Sequence, residues 1–120
     1  MAAEGRERAF RAPAGPTVVD IPAEVDMSNA EHVQDILRSA LVPGTTVVIA
    51  DLTATTCCDM RGARAFATAR MHAIENGAVL RLVIPSATVR RAFEVIELDR
   101  LLPIYPSLSM AMAPEIEAAS

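Results

Sequence analysis

Residues 46–76 read TVVIADLTATTCCDMRGARAFATARMHAIEN, a short apolar run joined through small polar residues to a long alanine-rich one. Thr46 to Leu52 is nearly continuous in β-branched and apolar residues and too short for an ordinary helix. That predicts a strand covered on both faces and central to its sheet. Asp59 stands at the head of the second run, where a carboxylate accepts a hydrogen bond from a free N–H of a first helical turn. A helix is predicted from Met60 to Asn76, stopped by Gly77. Ala63, Phe66, Ala67, Met71 and Ile74 are assigned to its inner face, and Arg61, Arg64, Thr68 and His72 to solvent.

The same alternation extends in both directions. Upstream, Thr17 to Ile21 is a short β-branched strand ended by Pro22. Ser28 then precedes Glu31 by three residues, the spacing of a capping box, so a helix is expected from about Asn29. Ala30, Val33, Ile36, Leu37, Ala40 and Leu41 form its apolar stripe, and Pro43-Gly44 closes it. Downstream, Val79 to Ile84 reads as a strand. Ser86 caps a helix whose Val89, Ala92, Phe93 and Ile96 recur at three and four. Ile104-Tyr105-Pro106 is a last short strand and Ser107 to Ala113 a short terminal helix. Strands and helices in alternation predict an α/β fold: a mixed, mainly parallel sheet of four to five strands with three to four helices packed over it. Residues 1–16 are poorly patterned, with Ala9 to Arg11 as a candidate edge strand. Residues 17–113 form the domain and 114–120 a tail.

Composition narrows the function. The chain has 120 residues, 52% of them hydrophobic and 22% charged, which suits one folded domain. No apolar run is long enough to span a bilayer and the start carries no apolar signal core, so a cytoplasmic protein with no membrane partner is expected. The net charge is −4 and aromatic residues make up 3%. Neither clustered cations for phosphates nor a stacking platform for bases is present, so no direct nucleic-acid partner is expected.

Few residues suggest chemistry. No glycine-rich phosphate loop occurs and no cofactor is expected. His32 and His72 lack partners at metal-ligand spacing and read as surface histidines. Asp51 and Asp59 bracket the strand-to-helix connection. They read as a turn residue and a helix cap, with a metal or acid–base pair as the alternative at the sheet's carboxyl edge. Cys57 and Cys58 are adjacent, which fits no zinc or thioredoxin spacing. They read as reduced, with one or both filling core positions near a strand end, and a vicinal redox pair as the alternative.

Three longer segments carry a resemblance: VDIPAEVDMSNAEHVQDIL at 19–37, IADLTATTCCDMRGARAF at 49–66 and LRLVIPSATVRRAFEVIELDRLLPIYPSL at 80–108. From Thr17 to about Ala113 the chain resembles a STAS domain of the anti-sigma factor antagonist type. Glu24 and Asp26 match the family's acidic turn, and Asp59 and Gly62 the frame that opens its second helix. The resemblance implies a protein that binds a kinase-like anti-sigma factor or another protein of such a pathway and catalyses nothing. Its partner-binding edge would comprise Glu24, Asp26, Asp59, Met60, Arg61 and Arg64. In the family the position after the Asp is a serine that the anti-sigma factor phosphorylates. Here it is Met60, and Arg61 follows where a second hydroxyl is usual. A thioether accepts no phosphoryl group, so no modification is expected at Met60, with Thr55 and Thr56 as substitutes nearby. Met60 either faces a partner or packs into its own domain. A monomer or small dimer is expected. A scaffold or sensor subunit of a larger STAS assembly, and a small-ligand module near Asp51 and Asp59, are the alternative functions.

Overall fold

In the computed structural model, residues 15–113 are described. The order is β1 (Thr17–Asp20), β2 (Glu24–Val25), α1 (Ala30–Ser39), β3 (Val47–Asp51), β4 (Cys57–Cys58), α2 (Met60–Glu75), β5 (Val79–Val83), α3 (Ala87–Val95), a 3-10 turn (Leu98–Arg100), β6 (Ile104–Tyr105) and α4 (Leu108–Met112). The main sheet has four strands in the order β1-β3-β5-β6, and β2 and β4 make a second, two-stranded sheet. Every pairing among them is parallel. The expected Ala9 to Arg11 strand lies outside the described residues.

Alternation along each strand divides the interior in two. Val48 and Ala50 of β3 and Leu80 and Leu82 of β5 point into the larger core, where they meet Val33 and Leu37 of α1, Ala63, Phe66 and Ala69 of α2, and Val89 and Phe93 of α3. Val47, Ile49 and Val83 point the other way and pack with Ala111, Leu108 and Tyr105. β3 and β5 are thus buried on both faces, which is why their sequences are continuous rather than alternating. The rings of Phe66 and Phe93 meet at 5.4 Å and 55° in the middle of the larger core.

Most helix ends follow local chemistry. Asp59 accepts from Gly62 N at 2.7 Å, Ser86 Oγ from Val89 N at 3.2 Å and Ser107 Oγ from Met110 N at 3.3 Å. After α2, Gly77 N donates to Ile74 O and Ala78 N to Ala73 O. This is the Schellman pair, and Gly77 supplies its left-handed residue at φ 73°.

The structure corrects four expectations. Ser28 does not cap α1: its N–H and Oγ both donate to Asp26 Oδ1, and the N-cap residue is Asn29, which makes no side-chain cap bond. Asp26, two residues earlier, offers a charged acceptor that outcompetes the capping geometry. α1 also ends at Ser39, ahead of the Pro43-Gly44 turn, although Ala40 and Leu41 still pack against the core.

The inner face of α2 is rotated from that expected. Gly62, Ala63, Ala65, Phe66, Ala69 and Ala73 are buried, whereas Met71 is 55% and Ile74 53% exposed. Small residues on the inner side let α2 lie close to its neighbours. At Gly62 an added Cβ would come within 2.5 Å of Val25 O, so only glycine fits there.

His72 is half-buried, not a surface histidine. Its Nε2 accepts from Arg38 Nη2 on α1 at 3.2 Å, and its Nδ1 is buried with no partner among the described residues. His32 is exposed.

Candidate functional site

β2 and β4 pair in register, Glu24 beside Cys57 and Val25 beside Cys58. This joins the turn after β2 to the start of α2. Asp59 N donates to Val25 O at 3.2 Å, and the absent side chain at Gly62 lets the first turn of α2 press on the Val25 carbonyl. Asn29 fastens the other side, its Nδ2 donating to Glu24 O at 2.8 Å and its Oδ1 accepting from Asp26 N at 3.0 Å. The residues expected to share an edge, Glu24, Asp26, Asp59, Met60 and Arg61, are brought together here, with Arg64 one turn further along α2.

Their roles differ. The carboxylates of Asp26 and Asp59 are committed to local bonds: Asp26 to Ser28, Asp59 to the α2 cap. Hydrogen bonds from the Ser28 hydroxyl and the Ser28 N–H hold the Asp26 carboxyl below its ordinary value, against an opposing effect of desolvation and with a lesser contribution from the Asn29 backbone. Glu24, Arg61 and Arg64 are exposed. Met60 is 48% exposed and Met27 64%, and Arg61 Nη1 contacts Met27 Sδ at 2.8 Å. The edge is therefore two half-free methionines joined by an arginine, framed by acidic residues. Met60 does not pack into its own core.

Met27 was not among the residues expected at the site. Its signal was available: a large apolar residue between Asp26 and Ser28, in a turn with no apolar period to place it inside.

The connection before α2 is held by the hydroxyls named as substitute acceptors. Thr55 is buried with Oγ1 donating to Pro22 O at 2.8 Å, and Thr56 Oγ1 donates to Ala23 O at 3.3 Å. Asp51 accepts from Thr53 N and Oγ1, an Asx turn. The sheet register sets it beside Asp20 rather than Asp59. Among the described residues no group of three or more His, Cys, Asp and Glu side chains is placed to hold a metal ion.

Cys57 and Cys58 are free thiols. Of the two, Cys58 turns partly inward against the larger core, and Cys57 is exposed. Burial pushes the Cys58 thiol up to about 12, and the charges of Asp59 and Cys57 act in the same direction. No helix among the described residues is long and apolar enough to cross a membrane.

A family model described as the STAS domain matches residues 7–111. No curated protein matches the chain in sequence. Three solved structures illustrate the likeness in fold. A sulfate transporter family protein from Wolinella succinogenes aligns with TM-score 0.74 at 17% identity, covering 90% of this chain and 91% of its own. An anti-sigma factor antagonist from Mycobacterium paratuberculosis aligns with TM-score 0.71 at 23% identity, covering 81% and 82%. An anti-sigma factor antagonist (STAS) domain protein from Planctomyces limnophilus aligns with TM-score 0.69 at 18% identity, covering 82% and 87%.

Proposed function

Because the chain belongs to the STAS domain family, we propose that it binds an anti-sigma factor, or a related regulator, and by sequestering it frees a sigma factor. It acts by occupancy and catalyses nothing. The observation that carries this reading is the exposed Met60 at the capped start of α2, beside Met27 and Arg61. Methionine adapts to many partner shapes, and arginine is frequent among the residues that dominate binding energy. Glu24 and Asp26 at the rim add charge selectivity and little affinity.

The same residue sets the mode of control. A phosphate at a helix start is tolerated by its own helix, whose free N–H groups and dipole face it, while it blocks a docked partner. Met60 has no hydroxyl, so the complex is regulated by abundance or by a competing protein rather than by phosphorylation at that position. Thr55 and Thr56 are poor replacements, since phosphorylating either breaks its bond to the Pro22–Ala23 backbone.

The test is capture of the tagged protein's partner from its own cell extract, followed by titration of that partner with the wild type and Met60→Glu. Glutamate at an exposed helix start is favourable to the helix dipole, so the variant keeps its fold. A carboxylate buried without a counter-charge in the complex weakens binding by about a hundredfold, or ~2.7 kcal/mol. A folded variant that binds the partner normally places the docking edge elsewhere.

A further inference from the structure

Arg61 is an exposed cation resting on a soft partner. Its guanidinium, on the first turn of α2, lies on the thioether of Met27, with Nη1 2.8 Å from Sδ. It forms no ion pair among the described residues. A thioether is a weak acceptor, so a permanent positive charge is held by a group that offers it little. Met27 is 64% exposed. Met71 and Met110 are comparably exposed, at 55% and 52%, but among the described residues the contact with a cation belongs to Met27.

The contact also joins two elements. The turn after β2 is closed on itself: Ser28 N donates to Asp26 Oδ1, Asp26 N to Asn29 Oδ1 and Asn29 N to Asp26 O. Below the turn, the chain is tied to β4 and to the start of α2 by the β2–β4 pairing and by Asp59 N on Val25 O. Arg61 on Met27 extends that tie to the tip of the turn.

From this pair we infer that Met27 is an oxidation site for hydroperoxides, and that Arg61 receives its sulfoxide to make a clasp between the turn and α2. The sulfur lone pair attacks one oxygen of hydrogen peroxide. The S–O bond forms as the O–O bond breaks, the proton on the attacked oxygen passes to the departing hydroxide, and water leaves. Sulfur loses two electrons and the peroxide gains them.

Oxidation turns a flexible apolar side chain into a polar one. Where the thioether gave Arg61 a weak contact, the sulfoxide oxygen gives it a charge-assisted hydrogen bond. A largely exposed side chain has only to rotate to present that oxygen. An exposed methionine with no cation on it gains hydration alone, whereas Met27 gains a bond between two elements. A thiol-dependent sulfoxide reductase restores the weak contact, so the clasp is reversible.

The effect on binding rests on the docking reading proposed above. Reduced, Arg61 leaves Met27 at little cost to meet an acceptor on a partner. Oxidised, it must first break the bond to the sulfoxide, and the apolar surface of Met27 is lost. Oxidation of Met27 therefore weakens docking.

Amide exchange on the isolated protein tests the clasp. Wild type, Met27→Leu and Arg61→Ala are each compared before and after treatment with hydrogen peroxide, and peptide mass spectrometry follows every methionine. Both substitutions fall on exposed side chains, and circular dichroism checks that each variant is folded. Cys57 and the remaining methionines meet the oxidant alike in all three, so their effects cancel. In the oxidised wild type, exchange at Asp26, Ser28 and Asn29 is expected to slow by about threefold or more. Neither variant should slow, since one lacks the sulfur and the other the donor. Exchange that is unchanged or faster in the oxidised wild type overturns the inference. So does slowing that persists in either variant, or a Met27 that stays reduced while Met71 is oxidised. A second arm titrates the captured partner with reduced and oxidised wild type, and the oxidised form should bind about tenfold more weakly. A slowed turn with unchanged affinity would support the clasp and overturn the docking reading of this edge.

Discussion

Cys57 and Cys58 are consecutive in the chain, yet their sulfurs meet different surroundings. Neighbours on a strand point to opposite faces, so β4 turns Cys57 to solvent and Cys58 toward the core. Thiolate is the reacting form, and burial together with the charges of Asp59 and Cys57 raises the Cys58 thiol to about 12 from 9.0. Iodoacetamide at pH 8 is therefore expected to label Cys57 well ahead of Cys58 in the native protein, and both equally in denaturant. Peptide mass spectrometry over a time course reads the order, and equal native rates would mean that β4 is not formed in solution. The linkage follows from the sign of the shift. The folded value lies above the unfolded one, so Cys58 contributes stability that is complete below pH 9.0 and is lost as pH rises from there toward 12. Asp26 works in the opposite sense: its lowered value gives a contribution present above pH 3.8 and lost as the pH falls through the folded value.

At the scale of elements, the proposed docking edge depends on how closely α2 approaches β2. Gly62→Ala would bring a Cβ within 2.5 Å of the Val25 oxygen and 2.7 Å of its carbon, both backbone atoms that cannot rotate away. The variant is expected to lose about 1–3 kcal/mol, measured by urea unfolding, with faster amide exchange confined to residues 24–29 and 57–62. Loss of stability without that local change would mean that the helix relaxes rather than β2. Phe93→Ala tests the other end of the larger core. Its ring is buried against Phe66, and its removal is expected to cost about 3–5 kcal/mol; less than about 1 kcal/mol would mean that the space refills. The position of Phe93 was legible in the sequence because α3 is amphipathic with one clear apolar period. α2 was not legible in the same way. With alanines at 63, 65, 67, 69 and 73, it has no uniquely apolar side, and the large residues Met71 and Ile74 drew the inner face toward themselves. Packing chose the alanines because the neighbouring elements lie close, and spacing between elements is not written in one helix's periodicity. The edge was legible for a different reason. Asp59 is a local signal, a cap three residues before the N–H it accepts from, whereas the Ser28 capping pattern was equally local and lost to Asp26.

Across the whole molecule, the described helices divide unequally between the faces of the sheet. α1, α2 and α3 cover one side, and among the described helices α4 alone packs with Val47, Ile49 and Val83 on the other. A helix of five residues has little propensity of its own, so its place depends on tertiary contacts. Arg81 supplies one. It stands within the otherwise apolar β5, is buried, and its Nη1 donates to Ala111 O at 3.0 Å. A guanidinium at that end satisfies a carbonyl in the last turn of the helix and suits the negative end of its dipole. In the sequence VLRLVI this residue reads as an interruption in a strand, because nothing local shows that a helix thirty positions later returns to meet it. Arg81→Met keeps much of the volume and apolar stem while removing the donor. A hydrogen bond to a charged group contributes about 1.5–3 kcal/mol, so a comparable loss is expected in thermal or urea unfolding. The location of the loss is the sharper measurement. Amide exchange should accelerate over residues 108–112 and along β6, while α1, α2 and the proposed docking edge on the opposite side keep their protection. Exchange that accelerates evenly through the domain would mean that Arg81 supports the sheet as a whole, and that α4 does not depend on it.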